Sequence, residues 1–259
     1  MAPPVGVGPT VGREPGIAVS PVHRLPAHVK VVAALVFVFG VVATPRTAFV
    51  VFAVDAAAVV LVAGLAGVGW RTAARRLTIE TPFIVFALLL PIVARGERVS
   101  VLGVSLSLSG LWSAWNIMAK GTLGVAVAVV LSATTPVGDL LAGAQRLRVP
   151  PAFTAIGGFM VRYGEVVSGE LDRMRVARIS RGDDPRWLWQ ARSVATTAGA
   201  LFVRSFERGE RVHLAMVSRG FDGTWPRGPA GRVPLADWGV AASFAAVSVL
   251  GAWVALAAP

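Results

Sequence analysis

Cysteine is absent from this 259-residue chain, histidine occurs three times and lysine accounts for only two of the 25 cationic residues. Without cysteine there is no disulfide, no thiolate metal site and no cysteine nucleophile. His23, His28 and His213 form no pair with metal-ligand spacing on one helix, so neither metal nor cofactor is expected. The Gly-x-x-x-x-Gly-Lys-Ser/Thr loop that cradles nucleotide phosphates is missing, so the chain is not expected to hydrolyse ATP. The 14 acidic residues show no clustering with a nucleophile, which leaves a membrane-embedded enzyme, the competing reading, without its machinery. Residues 1–28 are rich in Pro and Gly and hold no apolar run, so no secretory signal is predicted there. The first apolar block is then expected to be a retained helix that directs its own insertion.

Apolar residues make up 55% of the chain, charged ones only 15%, and the mean hydropathy is +0.67. They gather in blocks of about 20 residues, the length of helix that crosses a hydrocarbon layer of about 30 Å. Five spans are expected: Val29–Ala43, Thr47–Trp70, a third opened by Thr81-Pro82 and closing near Arg95, Leu111–Thr134, and Leu235–Ala257. Proline at the first helical position loses no needed donor. The Ser-rich, partly alternating stretch Val99–Leu108 suits a short extended excursion that turns back on itself. Trp112 and Trp115 stand where interface anchors are expected, and Gly64, Gly67 and Gly69 read as a close-packing motif. Asp55 and Lys120 are the intramembrane ionisable candidates. Such residues are functional candidates by default, although Lys120 can instead snorkel towards a polar interface.

The net charge is +11. Because the basic residues fall between apolar blocks, they read as loops of a membrane protein and not as a nucleic-acid surface. Arg24 and Lys30 before the first span, with Arg71, Arg75 and Arg76 after the second, place the N-terminus in the cytoplasm. Five spans put the C-terminus outside.

Residues 145–232 differ: 15 of the 25 cations lie there with eight acids. An arginine at the bilayer centre costs about 2.5–3.5 kcal/mol, so several within a few turns argue against a lipid-embedded helix. Phe153, Ile156, Met160, Tyr163, Val167, Leu171 and Met174 nevertheless recur three or four apart. That spacing predicts long amphipathic cytoplasmic helices. Within them the stretch Asp172–Gly182 aligns without gaps to Glu210–Gly220, sharing an Arg, an Ala and the closing Ser-Arg-Gly. Glycine just past a helix is a common stop in the left-handed conformation. Each copy therefore presents an arginine at a helix C-terminus. Meeting the helix dipole there stabilises by about 0.3–1 kcal/mol. Its duplication, and the fork with which arginine grips carboxylates and carbonyls, argue for docking.

With Ser180-Arg181-Gly182 and Ser218-Arg219-Gly220 in this order, the chain resembles the EcfT/CbiQ family, the transmembrane T component of energy-coupling factor transporters. Members carry two Ala/Ser-Arg-Gly signatures at the ends of cytoplasmic coupling helices. Further resemblance lies in His23–Lys30, in Thr134-Thr135-Pro136 with Arg146–Pro150, and in Arg204–Arg208 followed by Val212–Met216. The similarity covers about residues 20–257 and is greatest to the cobalt branch, CbiQ. It implies an all-α polytopic membrane protein without enzymatic activity. It further implies that Ser180, Arg181, Gly182, Ser218, Arg219 and Gly220 dock cytoplasmic ABC ATPase subunits, and that a substrate-binding membrane subunit, the S component, is the other partner. The setting implied is a bacterial plasma membrane, with cobalt, or else nickel, biotin or a shared vitamin system, as cargo. The expected organisation is an N-terminal segment 1–28, spans within 29–134, a coupling module 135–232 and a last span in 233–259.

Overall fold

The computed structural model describes residues 20–94, 97–101, 104–183, 191–221 and 234–257. Most of the N-terminal segment expected over 1–28 thus lies outside the described residues. The chain divides into two compact units, Met1–Pro136 with Val233–Pro259, and Val137–Arg232.

The first unit holds a short helix α1 (Pro21–Arg24), then α2 (Ala27–Ala43), α3 (Phe49–Leu65), α4 (Trp70–Leu77), a 3-10 turn over Thr78–Glu80 and α5 (Thr81–Val93). A hairpin of β1 (Arg98–Val101) and β2 (Val104–Ser107) follows, with Arg98 opposite Ser107 and Val101 opposite Val104. It occupies the stretch whose alternation predicts an extended excursion. Helix α6 (Leu108–Thr134) then runs back, and α10 (Leu235–Ala257) completes the unit. The run Ala73–Val93, α6 and α10 are long and apolar enough to cross a membrane, while α2 and α3 have 17 residues each, the lower end of what spans. This is an all-α polytopic membrane architecture.

Its core is thin, as lipid-facing bundles allow. Phe37 and Val41 of α2 pack with Phe52 and Val59 of α3 and Leu123 and Val127 of α6, and Phe244 of α10 stacks on Phe37 at 4.5 Å. Outward faces are apolar as well: Val50 is 77% exposed and Phe39 71%. In water such a surface would be an aggregation patch, whereas in lipid it meets its own kind. Polar ties fix both ends. At one, Lys30 Nζ donates to the Thr134 carbonyl at 3.1 Å, Arg76 bonds Ser132 at 2.8 Å, and the Ser20 hydroxyl donates to the Leu65 carbonyl. At the other, Trp115 Nε1 donates to the Arg46 carbonyl at 3.2 Å and Lys120 Nζ to that of Val42 at 2.7 Å. The starts of α2 and α10 and the finishes of α3 and α6 therefore share one end.

Two expectations need correction. The second span stops at Leu65 and not Trp70. Gly67 adopts φ +66°, and the Gly67 and Val68 amides bond the Gly64 and Ala63 carbonyls, the paired bonds of a Schellman stop. Nor do Gly64 and Gly67 pack closely on another helix among the described residues, where nothing lies within 4 Å of a Cβ built on either. Close-approach glycines lie elsewhere: a Cβ on Gly40 would come within 2.6 Å of Ser248 Oγ and 2.9 Å of its carbonyl carbon, and one on Gly110 within 2.6 Å of the Leu90 carbonyl oxygen.

The second unit consists of α7 (Val137–Arg146), α8 (Pro151–Ser180) and α9 (Ala191–Val217). Leu141 packs over Gly157, and Gln145 Nε2 reaches Thr154 Oγ1 at 3.3 Å, tying α7 to α8. The apolar stripe of α8 is not a buried face. Met160 is 71% exposed and Phe153 68%, while the buried positions are Thr154 and Glu170. Helix α9 has no buried residue among those described. The physical reason is that α8 and α9 meet across a limited stretch held by polar groups, so their apolar residues stay uncovered within this unit.

Candidate functional site

Both Ser-Arg-Gly signatures close their helices with the same backbone geometry. At the end of α8, Gly182 has φ +81°, its amide bonds the Ile179 carbonyl at 2.9 Å, and the Asp183 amide bonds Arg178 at 3.2 Å. At the end of α9, Gly220 has φ +85°, with Gly220 to Val217 at 2.9 Å and Phe221 to Met216 at 3.0 Å. Both are Schellman stops, and each sets its arginine at the last half-helical position. Ser180 and Ser218 return their hydroxyls to the Val176 and Ala215 carbonyls, both at 3.0 Å. The serine thus covers its own helix and leaves the arginine as the outward group. Arg181 and Arg219 are exposed, and among the described residues no ion pair engages either.

Where the two arginines stand is set by a clasp that sequence reasoning missed. The Glu170 carboxylate of α8 accepts from Arg204 at 3.2 Å on one oxygen and from Arg208 at 3.1 Å on the other. The Arg204 hydrogen bond is the largest influence holding that carboxyl below its usual range; burial opposes it, and Arg208 adds to the lowering. Two turns further along α8, Arg178 reaches back in α9 to Thr197 at 3.2 Å. A later residue of one helix meets an earlier residue of the other, so the helices run antiparallel through the contact. Arg181 lies eleven residues beyond Glu170, and Arg219 eleven beyond Arg208. At 1.5 Å per residue each tip stands about 16 Å from the clasp along its own helix, in opposite directions.

Asp183, one residue past Gly182, lies 4.0 Å from Arg178 and accepts from the Ser193 hydroxyl in the first turn of α9. The Arg181 end is therefore tied to its neighbour helix. A signal for the clasp was present in the sequence. Arg204 and Arg208, four apart, share one helix face, but their partner is 34 and 38 residues away.

The other candidates fall outside this arrangement. Asp55 is fully buried and accepts from Ser248 of α10 at 3.3 Å, while its second oxygen has no hydrogen-bond partner among the described residues. Lys120 donates to a backbone carbonyl, and Trp112 and Trp115 gather with Phe49 at the turn between α2 and α3. Glu80, unremarked in the sequence, is buried against Gly121 and accepts from Thr122 at 3.0 Å. Among the described residues no group of three His, Cys, Asp or Glu is placed to hold a metal.

A bundle clothed in apolar side chains, joined in sequence to a charged pair of helices with arginine tips, defines a multi-pass membrane protein. The particular family follows from comparison. The family model described as CbiQ, cobalt transport protein, matches residues 18–229, and the chain belongs to that family. It is 29% identical over 143 residues to a putative fused cobalt transport protein CbiMQ of Methanocorpusculum labreanum, covering 53% of this chain and 24% of that one. It is 28% identical over 124 residues to the cobalt transport protein CbiQ of Rhodobacter capsulatus, covering 47% and 50%. An uncharacterised protein of Methanocaldococcus jannaschii is 30% identical over 100 residues, 39% of this chain and 37% of that one. The chain thus aligns with about a quarter to a half of the length of these relatives.

Proposed function

We propose that this chain is the transmembrane energy-coupling subunit of an ATP-driven uptake transporter of the energy-coupling factor type, with cobalt ion as cargo. The observation that carries this reading is the pair of identically capped arginines held at opposite arms of one clasp. Two tips pointing apart suit two sockets and not one, so each takes a groove on its own cytoplasmic ATPase subunit. Arginine suits the task because its planar fork stays charged and meets carboxylates or carbonyls in fixed geometry. When the ATPases close on ATP, the tips move with them, and the Glu170–Arg204–Arg208 clasp carries that displacement between the helices.

The exposed apolar residues of α8 and α9 then cover a substrate-binding membrane subunit. The fused relative supports such a partner, since its name joins CbiQ to a second component in one polypeptide. Cobalt as cargo rests on the family description and on the names of two relatives. In this reading residues 135–232 form the coupling module on the cytoplasmic side of the plasma membrane, the N-terminus lies on that side too, and the chain performs no catalysis itself.

The test is co-purification with the ATPase subunits, comparing wild type with Arg181→Glu plus Arg219→Glu. Wild type is expected to retain them, and the double variant to lose both assembly and cobalt uptake while still inserting in the membrane. Equal ATPase retention by the charge-reversed protein would defeat the assignment.

A further inference from the structure

At the end of the first unit where α2 and α10 start and α3 and α6 finish, the helices part around a cleft of about 740 Å³. Pockets that bind small molecules and cofactors range over about 300–1,000 Å³. Val62 and Leu65 of α3, Leu131 of α6 and Phe244 of α10 line its apolar wall, and Arg24, Lys30 and Asp237 are its charged residues. Lys30 Nζ is held in place by the Thr134 carbonyl at 3.1 Å and Thr135 Oγ1 at 3.3 Å. Arg24 is exposed. Although Arg24 and Asp237 line the same cleft, among the described residues neither takes part in an ion pair.

We propose that this cleft holds one phospholipid with an amine headgroup, its phosphate against Arg24 and Lys30, its ammonium against Asp237, and an acyl chain along the apolar wall. A guanidinium forks onto phosphate oxygens, and basic pockets between membrane helices bind lipid headgroups by that contact. The apolar wall selects a ligand with a hydrocarbon chain over a free phosphate. Asp237 selects among lipids, because an anionic headgroup placed beside a carboxylate is repelled whereas an ammonium is attracted. This site lies in a different unit from the arginine tips, and its occupancy does not depend on how they dock.

Native mass spectrometry of the full chain, purified from vesicles holding equal phosphatidylethanolamine and phosphatidylglycerol, tests the proposal. One phospholipid is expected to persist after the surrounding lipid is stripped, with ethanolamine favoured. Arg24→Gln should weaken retention about tenfold through loss of a charge-assisted bond. Asp237→Asn should keep the lipid but abolish the headgroup preference. Ala34→Phe, which narrows the cleft from its wall, should lose the lipid with Arg24 intact. Retention unchanged in both Arg24→Gln and Ala34→Phe would overturn the site, as would a preference for ethanolamine that survives Asp237→Asn. A photo-reactive group at Val62 that captures a protein segment instead of lipid in the assembled transporter would also overturn it.

Discussion

Single residues decide where the helices of this protein stop. Gly182 and Gly220 hold the left-handed conformation that a Cβ would strain, and the two arginines are aimed by those stops. Gly220→Ala should cost about 1 kcal/mol at that helix end, seen as about fivefold faster hydrogen exchange of the Gly220 and Phe221 amides. Arg148 does the same work without glycine: it sits at φ +63° closing α7, its amide bonded to Gln145 at 3.1 Å. Arg148→Gly should therefore raise stability, by about 0.5–1 kcal/mol, read from the melting temperature in detergent. Gly40→Ala should act the other way, since its methyl meets the backbone of Ser248 and forces α2 from α10, costing about 1–3 kcal/mol. The twin stops were legible because a short motif repeats with its glycine in register. Gly40 was not, because its neighbour lies on the last helix of the chain and no local pattern announces that contact. Asp55 stood out as an acid in an apolar run, yet its partner Ser248 is 193 residues away.

Elements gain their meaning here from how they cross. The clasp on Glu170 sets the register of α8 against α9 and so the positions of both tips. Its carboxyl titrates below the ordinary range in the folded protein, which means it binds protons less readily folded than unfolded. Its stabilisation is then present above the unfolded carboxyl pKa and is lost as pH falls through the lower folded value. A spin-label distance between the α8 and α9 tips should hold at neutral and mildly acidic pH and broaden only below the normal carboxylate range. Glu170→Gln should broaden it already at pH 7. Exchanging the charges, Glu170→Arg with Arg204→Glu and Arg208→Glu, should narrow it again, whereas a clasp without influence on the crossing would leave all distributions alike. Helices α8 and α9 were legible from apolar spacing and charge density. The spacing shows that a face of α8 is apolar but not what covers it.

For the whole molecule, the chain leaves the membrane-spanning unit after α6 and rejoins it at α10, at the end shared by Lys30 and Thr134. Apolar block lengths made the membrane-spanning character legible, while the side on which that end lies is an expectation from the positive clusters alone. The docking proposed for Arg181 and Arg219 involves other chains, so no residue of this chain alone spells out the socket. Because cysteine is naturally absent, a thiol placed at one tip reports on that tip alone. The most direct test is labelling of Ser180→Cys and Ser218→Cys by a membrane-impermeant thiol reagent, in the chain alone and assembled with its ATPases. Both thiols should react from the cytoplasmic side in the free chain and become protected in the complex, each by a different ATPase copy. Reaction from the outer side, or equal reactivity with and without the ATPases, would contradict the account.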